Sequence, residues 1–250
     1  TFYHNMTMIM DGHTGIEHNI PVAQVYKDVK SLWGSSNTGY TPTLIVSYGS
    51  INGQFYFYEH DNVWENEKLL KYTPRAIIDS RSRHRLKIPQ EEYDNGYILN
   101  SKTCKELTDA GVKVNLGAHG ELQGLGAHWE LWMFAQGGMT NMEALQAATI
   151  NGANYIGAGK DIGSLKVGKL ADLIVMDKNP LEDIRNTDSI IYTMVNGRLF
   201  DTETMNEIGN EPKTRTKFYW ENNKYNAAFP WHEETKSFSL GKCSCNLGSH

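Results

Sequence analysis

Nine histidines stand at positions 4, 13, 18, 60, 84, 119, 128, 232 and 250, and two of them close runs that read as β-strands. His18 ends Gly15-Ile-Glu-His18, and His119 stands in Gly117-Ala-His119-Gly120, directly after Val112-Lys-Val-Asn-Leu116. A neutral imidazole at the carboxyl end of a strand is a natural ligand for a zinc-type divalent metal, and in α/β barrels the ends of different strands converge on one point. A third cluster, His128-Trp-Glu130, lies in a Gly-rich turn leading to a helix. Its two polar residues share a side if the segment is extended and stand about 200° apart if it is helical. Extended, they could reach a substrate; otherwise they are structural hydrogen-bonding groups. Tyr48, Tyr56, Tyr58, Glu59 and His60 are either pocket lining or surface aromatic packing, the second being the default. No His-x-His pair exists, nor a Gly-x-Ser-x-Gly elbow, a phosphate-binding GxxxxGK[ST] loop or a dinucleotide fingerprint after a strand.

The elements that must position these groups follow from apolar spacing. Met6, Met8, Ile9 and Met10 read as the end of a helix stopped by Asp11-Gly12, before an extended run at Gly15–His18. Val22, Val25, Val29 and Trp33 fall on one helical face, and Leu44-Ile45-Val46 within Gly39–Tyr48 is expected as a buried strand. Residues 49–100 show no clear period, and so long a connection is expected to act as a lid or binding loop. A helix over Ser101–Ala110 and the strand Val112–Leu116 follow. Thr140-Asn-Met-Glu143 is a capping box opening a helix with a small-residue face at Leu145, Ala148, Thr149 and Gly152. Leu173–Met176 and Ile190–Val195 read as strands, and Asn196-Gly197 is a type I′ hairpin signal before Arg198-Leu-Phe200.

Composition limits the partners. The 250 residues are 40% hydrophobic and 21% charged, with 24 Lys and Arg against 29 Asp and Glu and a net charge of −5. No global basic field draws such a chain to nucleic acid or an anionic membrane, so a small-molecule or peptide substrate is expected. The basic run Arg81–Lys87 is neutralised at once by Glu91, Glu92 and Asp94. No apolar run approaches the ~18 residues of a membrane span. The chain opens on Thr1 rather than Met, without the basic start of a signal peptide, and a segment upstream is expected. Three cysteines make no disulfide framework. Cys104 is expected as a packed thiol, and Cys243-Ser-Cys245 with His232 and His250 as a flexible tail, since one intervening residue is not a common zinc spacing.

Several of these runs resemble one family. Gly15-Ile-Glu-His18 resembles the strand-6 metal-histidine segment of the amidohydrolase superfamily, in its imidazolonepropionase and prolidase-like branch. Asn151-Gly-Ala-Asn-Tyr-Ile-Gly157, Gly163-Ser-Leu-Lys-Val-Gly-Lys-Leu-Ala-Asp-Leu-Ile-Val175 and Val195-Asn-Gly197 resemble that branch's C-terminal signature. Asp11–His18, Thr41-Pro-Thr-Leu44 and Leu122–Trp132 resemble the subgroup often fused behind Tol-type β-propeller repeats. Together these cover roughly residues 5–205.

The resemblance implies an α/β fold: the C-terminal part of a (β/α)8 barrel, strands 6–8, with part of a small β-sandwich. Residues 1–160 would be the partial barrel, 161–205 the sandwich segment and 206–250 a tail. It implies a divalent metal, zinc foremost and one or two ions in an intact enzyme, hydrolysis of peptide-like or cyclic amides by a metal-activated water, and an extracytoplasmic or periplasmic location. Strand 6 would end at His18, strand 7 would be Thr43–Tyr48 and strand 8 Val112–Leu116. The family's strand-1 His-x-His, strand-4 Lys or Glu and strand-5 His have no counterpart here, and five more β/α units would need on the order of 150–200 residues. The strand-8 Asp of the family's Gly-Thr-Asp corresponds to His119, an imidazole where the family has a carboxylate, which changes the electrostatics of a dinuclear site. The implied role of His18 is metal ligand and that of His119 metal ligand or catalytic base, while His128, Glu130 and Tyr48 stay candidate substrate contacts beside their structural readings. The half-barrel would pair with a missing N-terminal half or with itself; the alternative is a non-catalytic fragment lacking the strand 1–5 ligands.

Overall fold

The computed structural model describes residues 1–82 and 87–222. The centre of the run Arg81–Lys87, and the tail residues His232, Cys243, Cys245 and His250, lie outside the described residues. Contacts divide the chain into two units, residues 1–62 with 84–215 and residues 63–83 with 216–250.

In the first unit, α1 (Phe2–Met10) is capped by the Thr1 hydroxyl and stopped at Asp11, with Gly12 at φ 77°. β1 (Gly15–Glu17) follows, then α2 (Lys27–Gly34) and β2 (Gly39–Thr41). β1 and β2 pair in parallel, Gly15 opposite Gly39 and Glu17 opposite Thr41. Residues 112–116 add one parallel bridge, Val114 to Tyr40, fixed by the Tyr40 N–H donating to Lys113 O at 2.9 Å and the Asn115 N–H donating to Tyr40 O at 2.7 Å. The paired glycines make room for Tyr155, because a Cβ on Gly15 would lie 1.9 Å from its hydroxyl. That hydroxyl donates to the Glu17 carboxylate.

The helix expected from Val22 begins only at Lys27, after an extended Tyr26, although Val25, Val29 and Trp33 are buried as the spacing requires. The strand expected at Leu44–Val46 is instead a single 3₁₀ turn, and the chain leaves the sheet at Thr41. Two of its amide donors meet a side-chain carboxyl rather than a neighbouring strand: the Leu44 N–H donates to Glu130 Oε1 at 2.9 Å and the Ile45 N–H to Oε2 at 3.0 Å.

Residues 49–100 are largely helical rather than irregular. They hold α3 (Gln54–His60), α4 (Glu67–Tyr72), α5 (Arg75–Ser82) and α6 (Gln90–Asn95), followed by α7 (Tyr97–Asp109). The short helices carry too few turns for a visible period. In the second unit, Asn66 caps α4, Arg75 pairs with Asp79 within α5, and α11 spans Tyr219–Asn222.

α8 (Leu125–Gln136) is the buried centre of the first unit, with every side chain from Trp129 to Phe134 buried. α7 lies against it, and the Ser101 hydroxyl donates to Met133 O at 2.6 Å. Cys104 on α7 is a free, buried thiol that burial pushes far up in pKa. α9 (Asn141–Gln146) opens with the expected capping box. A π-turn over Ala147–Asn151 then rotates the buried face before α10 (Gly152–Tyr155), so Ala144, Ala147 and Ala153 are buried while Ala148 and Thr149 of the expected face are exposed.

β3 (Leu173–Met176), β4 (Ile190–Val195) and β5 (Arg198–Asp201) form an antiparallel sheet in that order. Asn196 and Gly197 both take positive φ in the β4–β5 turn, as the hairpin signal requires. The loop before β4 is tied to α8, where the Trp132 indole N–H donates to Ile184 O and Thr187 Oγ1 at 3.0 Å and the Arg185 guanidinium lies 4.5 Å over the Trp132 ring. No helix among the described residues is long and apolar enough to cross a membrane.

Candidate functional site

Three chain segments leave the parallel sheet on the same side, each through a left-handed residue. His18 follows β1 at φ 64°, Thr43 follows β2 at φ 53°, and His119 follows the Val114 bridge at φ 53°. None is a glycine, and for β-branched Thr43 such a φ is a genuine outlier. Close approach fixes the geometry at Gly117, where a Cβ would lie 2.5 Å from Thr41 Cγ2 and 2.8 Å from Thr43 Oγ1.

The result is a convergence of rings. The His18 and His119 rings stand 5.2 Å apart, centroid to centroid, and the Tyr48 ring lies 4.8 Å from His18 on a 57° tilt. His18 Nδ1 is buried with no hydrogen-bond partner. The His119 side chain is 45% exposed, with Nδ1 4.0 Å from Glu121 Oε1. Tyr48 is 54% exposed. Two imidazoles, one with a buried unpaired nitrogen, fit as part of the ligand set of a divalent metal. They are not a complete set: among the described residues no group of three or more His, Cys, Asp or Glu could hold a metal ion.

Glu130 and His128 do not join them as a pair. Both lie inside α8 rather than in an extended turn, so the 100° helical step sends them to different sides. Glu130 is fully buried and spent on the Leu44 and Ile45 amides. Burial pushes its carboxyl up to about 8, against the pull of those two N–H bonds. The His128 ring lies 6.4 Å from that of Trp132. The other aromatics of the long connection are packing: Tyr56 stacks on His60 and meets Tyr93 and Tyr97, Tyr58 is buried against Trp129, and Glu59 accepts from the Tyr93 hydroxyl at 2.7 Å.

Sequence reasoning missed Thr43 and Asn19. Thr43 carries no signal of a left-handed backbone. Asn19 gave one, a turn-forming residue directly after a strand-end histidine.

Residues 98–200 match the amidohydrolase family. Imidazolonepropionase of Geobacillus sp. is 57% identical over 42 residues, 17% of this chain and 10% of that protein. Residues 98–200 are thus an amidohydrolase-family segment. The matched relatives include imidazolonepropionases, and the fold neighbours include a prolidase. Ochratoxinase of Aspergillus niger is 35% identical over 154 residues, 57% of this chain and 32% of that enzyme. The crystal structure of a Xaa-Pro dipeptidase with methionine in its active site superposes on 78% of this chain and 42% of its own, with a TM-score of 0.54 and 24% identity, which shows the shared fold. The chain thus spans about a third of the length of the ochratoxinase it matches. Enzymes of the superfamily are generally metal-dependent.

Proposed function

We propose that this chain is the C-terminal portion of a metal-dependent hydrolase acting on peptide-like or cyclic amide bonds. In this reading β1, β2 and residues 112–116 are strands 6–8 of a (β/α)8 barrel, and β3–β5 are part of a small β-sandwich. The observation that carries it is the meeting of His18 and His119, 5.2 Å apart, beyond the carboxyl ends of parallel strands, where barrel active sites lie.

His18 and His119 would hold a divalent metal, zinc in the first instance. Bound there, the ion supplies Lewis acidity toward an amide carbonyl and lowers the pKa of a water. The chain's own residues do the rest. With Nδ1 turned toward the Glu121 carboxylate at 4.0 Å, His119 would offer Nε2 either to the metal or, as base, to the attacking water, since its one free lone pair serves a single role at a time. The exposed Tyr48 ring offers a flat wall beside His18 for the acyl or amine portion, and His128 is a second proposed substrate contact. Glu130 acts on substrate only through the turn it holds. An extracytoplasmic location belongs to the same reading by resemblance.

A second reading is a non-catalytic, self-associating half-barrel, favoured by the incomplete ligand set among the described residues. Two ligands hold metal weakly, and exposed strand edges seek partners, either a missing N-terminal half or a second copy. Light scattering, zinc analysis and amide hydrolysis with and without Zn²⁺ or Mn²⁺ separate the two. Self-association with weak zinc uptake lost in both His18→Ala and His119→Ala, and no turnover, is the expected outcome. Zinc uptake indifferent to both histidines would leave the second reading standing. A stable monomer with metal-dependent turnover abolished by His18→Ala would show a complete site within this chain.

A further inference from the structure

Asn19 follows His18 directly and is buried, yet its amide serves neither its own strand nor a helix. Its Oδ1 accepts the Tyr48 N–H at 2.6 Å and its Nδ2 donates to the Tyr48 carbonyl at 3.0 Å. The two partners, one donor and one acceptor, fix which way the amide faces. The arrangement mimics a strand pairing between the end of β1 and the turn after β2, 29 residues away. Its geometric product is the Tyr48 ring against one side of His18, with His119 on another. Ile20 is held as well, its N–H donating to the Tyr40 hydroxyl at 3.2 Å.

We propose that Asn19 is a positioning residue: by clamping both main-chain groups of Tyr48 it sets that ring as the wall holding the His18 imidazole in one orientation, with Nδ1 unpaired and ready for a ligand. A side chain ordered before its ligand arrives loses less freedom on binding, and residues that orient metal-binding histidines typically change metal affinity 10- to 100-fold. This rests on the reading of His18 as a metal ligand, but the positioning itself is measurable without metal.

The test is an NMR comparison of the imidazole carbon-bound protons of the metal-free chain, with His18 assigned by His18→Gln. The Tyr48 ring displaces the His18 signals in the wild type. Tyr48→Phe keeps that displacement, Tyr48→Ala removes it, and Asn19→Ala removes it equally although the tyrosine is still present. Asn19→Asp, which retains the acceptor and the shape, gives a partial loss and decides the matter if the alanine variant does not fold. Co²⁺ titration then gives an affinity about 10- to 100-fold weaker in Asn19→Ala than in the wild type. His18 signals unmoved in both Asn19 variants would overturn the proposal. If the wild type takes up no Co²⁺, the metal reading of His18 fails, while the ring displacement still decides whether Asn19 positions it.

Discussion

The two β-regions of this chain solve the same backbone problem in opposite ways. The β4–β5 hairpin needs two left-handed residues and has Asn196 and Gly197, which tolerate that conformation. The exits from β1, β2 and the 112–116 segment need three and have His18, Thr43 and His119. The hairpin turn is decided by its own two residues and tied to Asp172, 24 residues back, by the Asn196 amide, whereas the turn after β2 is held by Glu130, 86 residues along the chain. Where backbone strain is kept although a glycine or asparagine would relieve it, the side chain is what is being kept. That criterion favours the proposed site at the parallel exits and leaves the hairpin as scaffold.

The largest test of the contrast is at Glu130. Glu130→Leu leaves the Leu44 and Ile45 amides buried and unpaired, at about 1–3 kcal/mol each, offset in part by removing a buried carboxyl. A loss of about 3 kcal/mol in urea unfolding is expected. A loss below 1 kcal/mol would mean that the turn after β2 holds without its distant brace.

The same carboxyl gives the chain a pH dependence. In the unfolded chain it ionises near the ordinary carboxylate value, while in the fold it stays protonated up to about 8. Between those values the native state holds the extra proton, so its contribution to stability is full at low pH and is lost as pH rises through that window, at up to roughly 1 kcal/mol per pH unit. Thermal midpoints across pH 5 to 8 should fall in the wild type and flatten in Glu130→Gln. Parallel slopes in the two proteins would remove Glu130 as the cause.

Legibility from sequence divides along the same line. The hairpin, the capping box at Thr140 and Glu143 and the stop at Asp11-Gly12 were readable because each is decided within four residues of chain. The convergence of His18 and His119 was readable because strand ends gather in barrels. Leu44–Val46 misled because its composition suits a strand, while the partner that takes its amides lies 86 residues away on α8. The site's left-handed Thr43 and the Asn19–Tyr48 clamp leave no periodic trace, since a single backbone angle or one amide changes neither hydrophobic spacing nor composition.

A middle-sized effect is expected at Gly197. A Cβ there meets nothing within 4 Å, so Gly197→Ala measures the left-handed backbone alone. The cost should be about 1 kcal/mol in the urea midpoint. A neutral result would mean that the hairpin can adopt another turn, and its value as the unstrained reference would be lost.

The smallest effect, and the sharpest for the comparison, is at His119. Its side chain is nearly half exposed, so deleting it costs little packing, and glycine relieves a φ of 53° while adding freedom to the unfolded chain. These terms nearly cancel, and His119→Gly should lie within about 0.5 kcal/mol of the wild type. His119→Ala keeps the awkward backbone without the side chain and should be less stable than the glycine variant by about 1 kcal/mol. Both should lose zinc retention together. A glycine variant destabilised by 1 kcal/mol or more would show that the His119 side chain holds the fold, and the distinction between a working exit and a scaffold hairpin would fail at the residue on which it most depends.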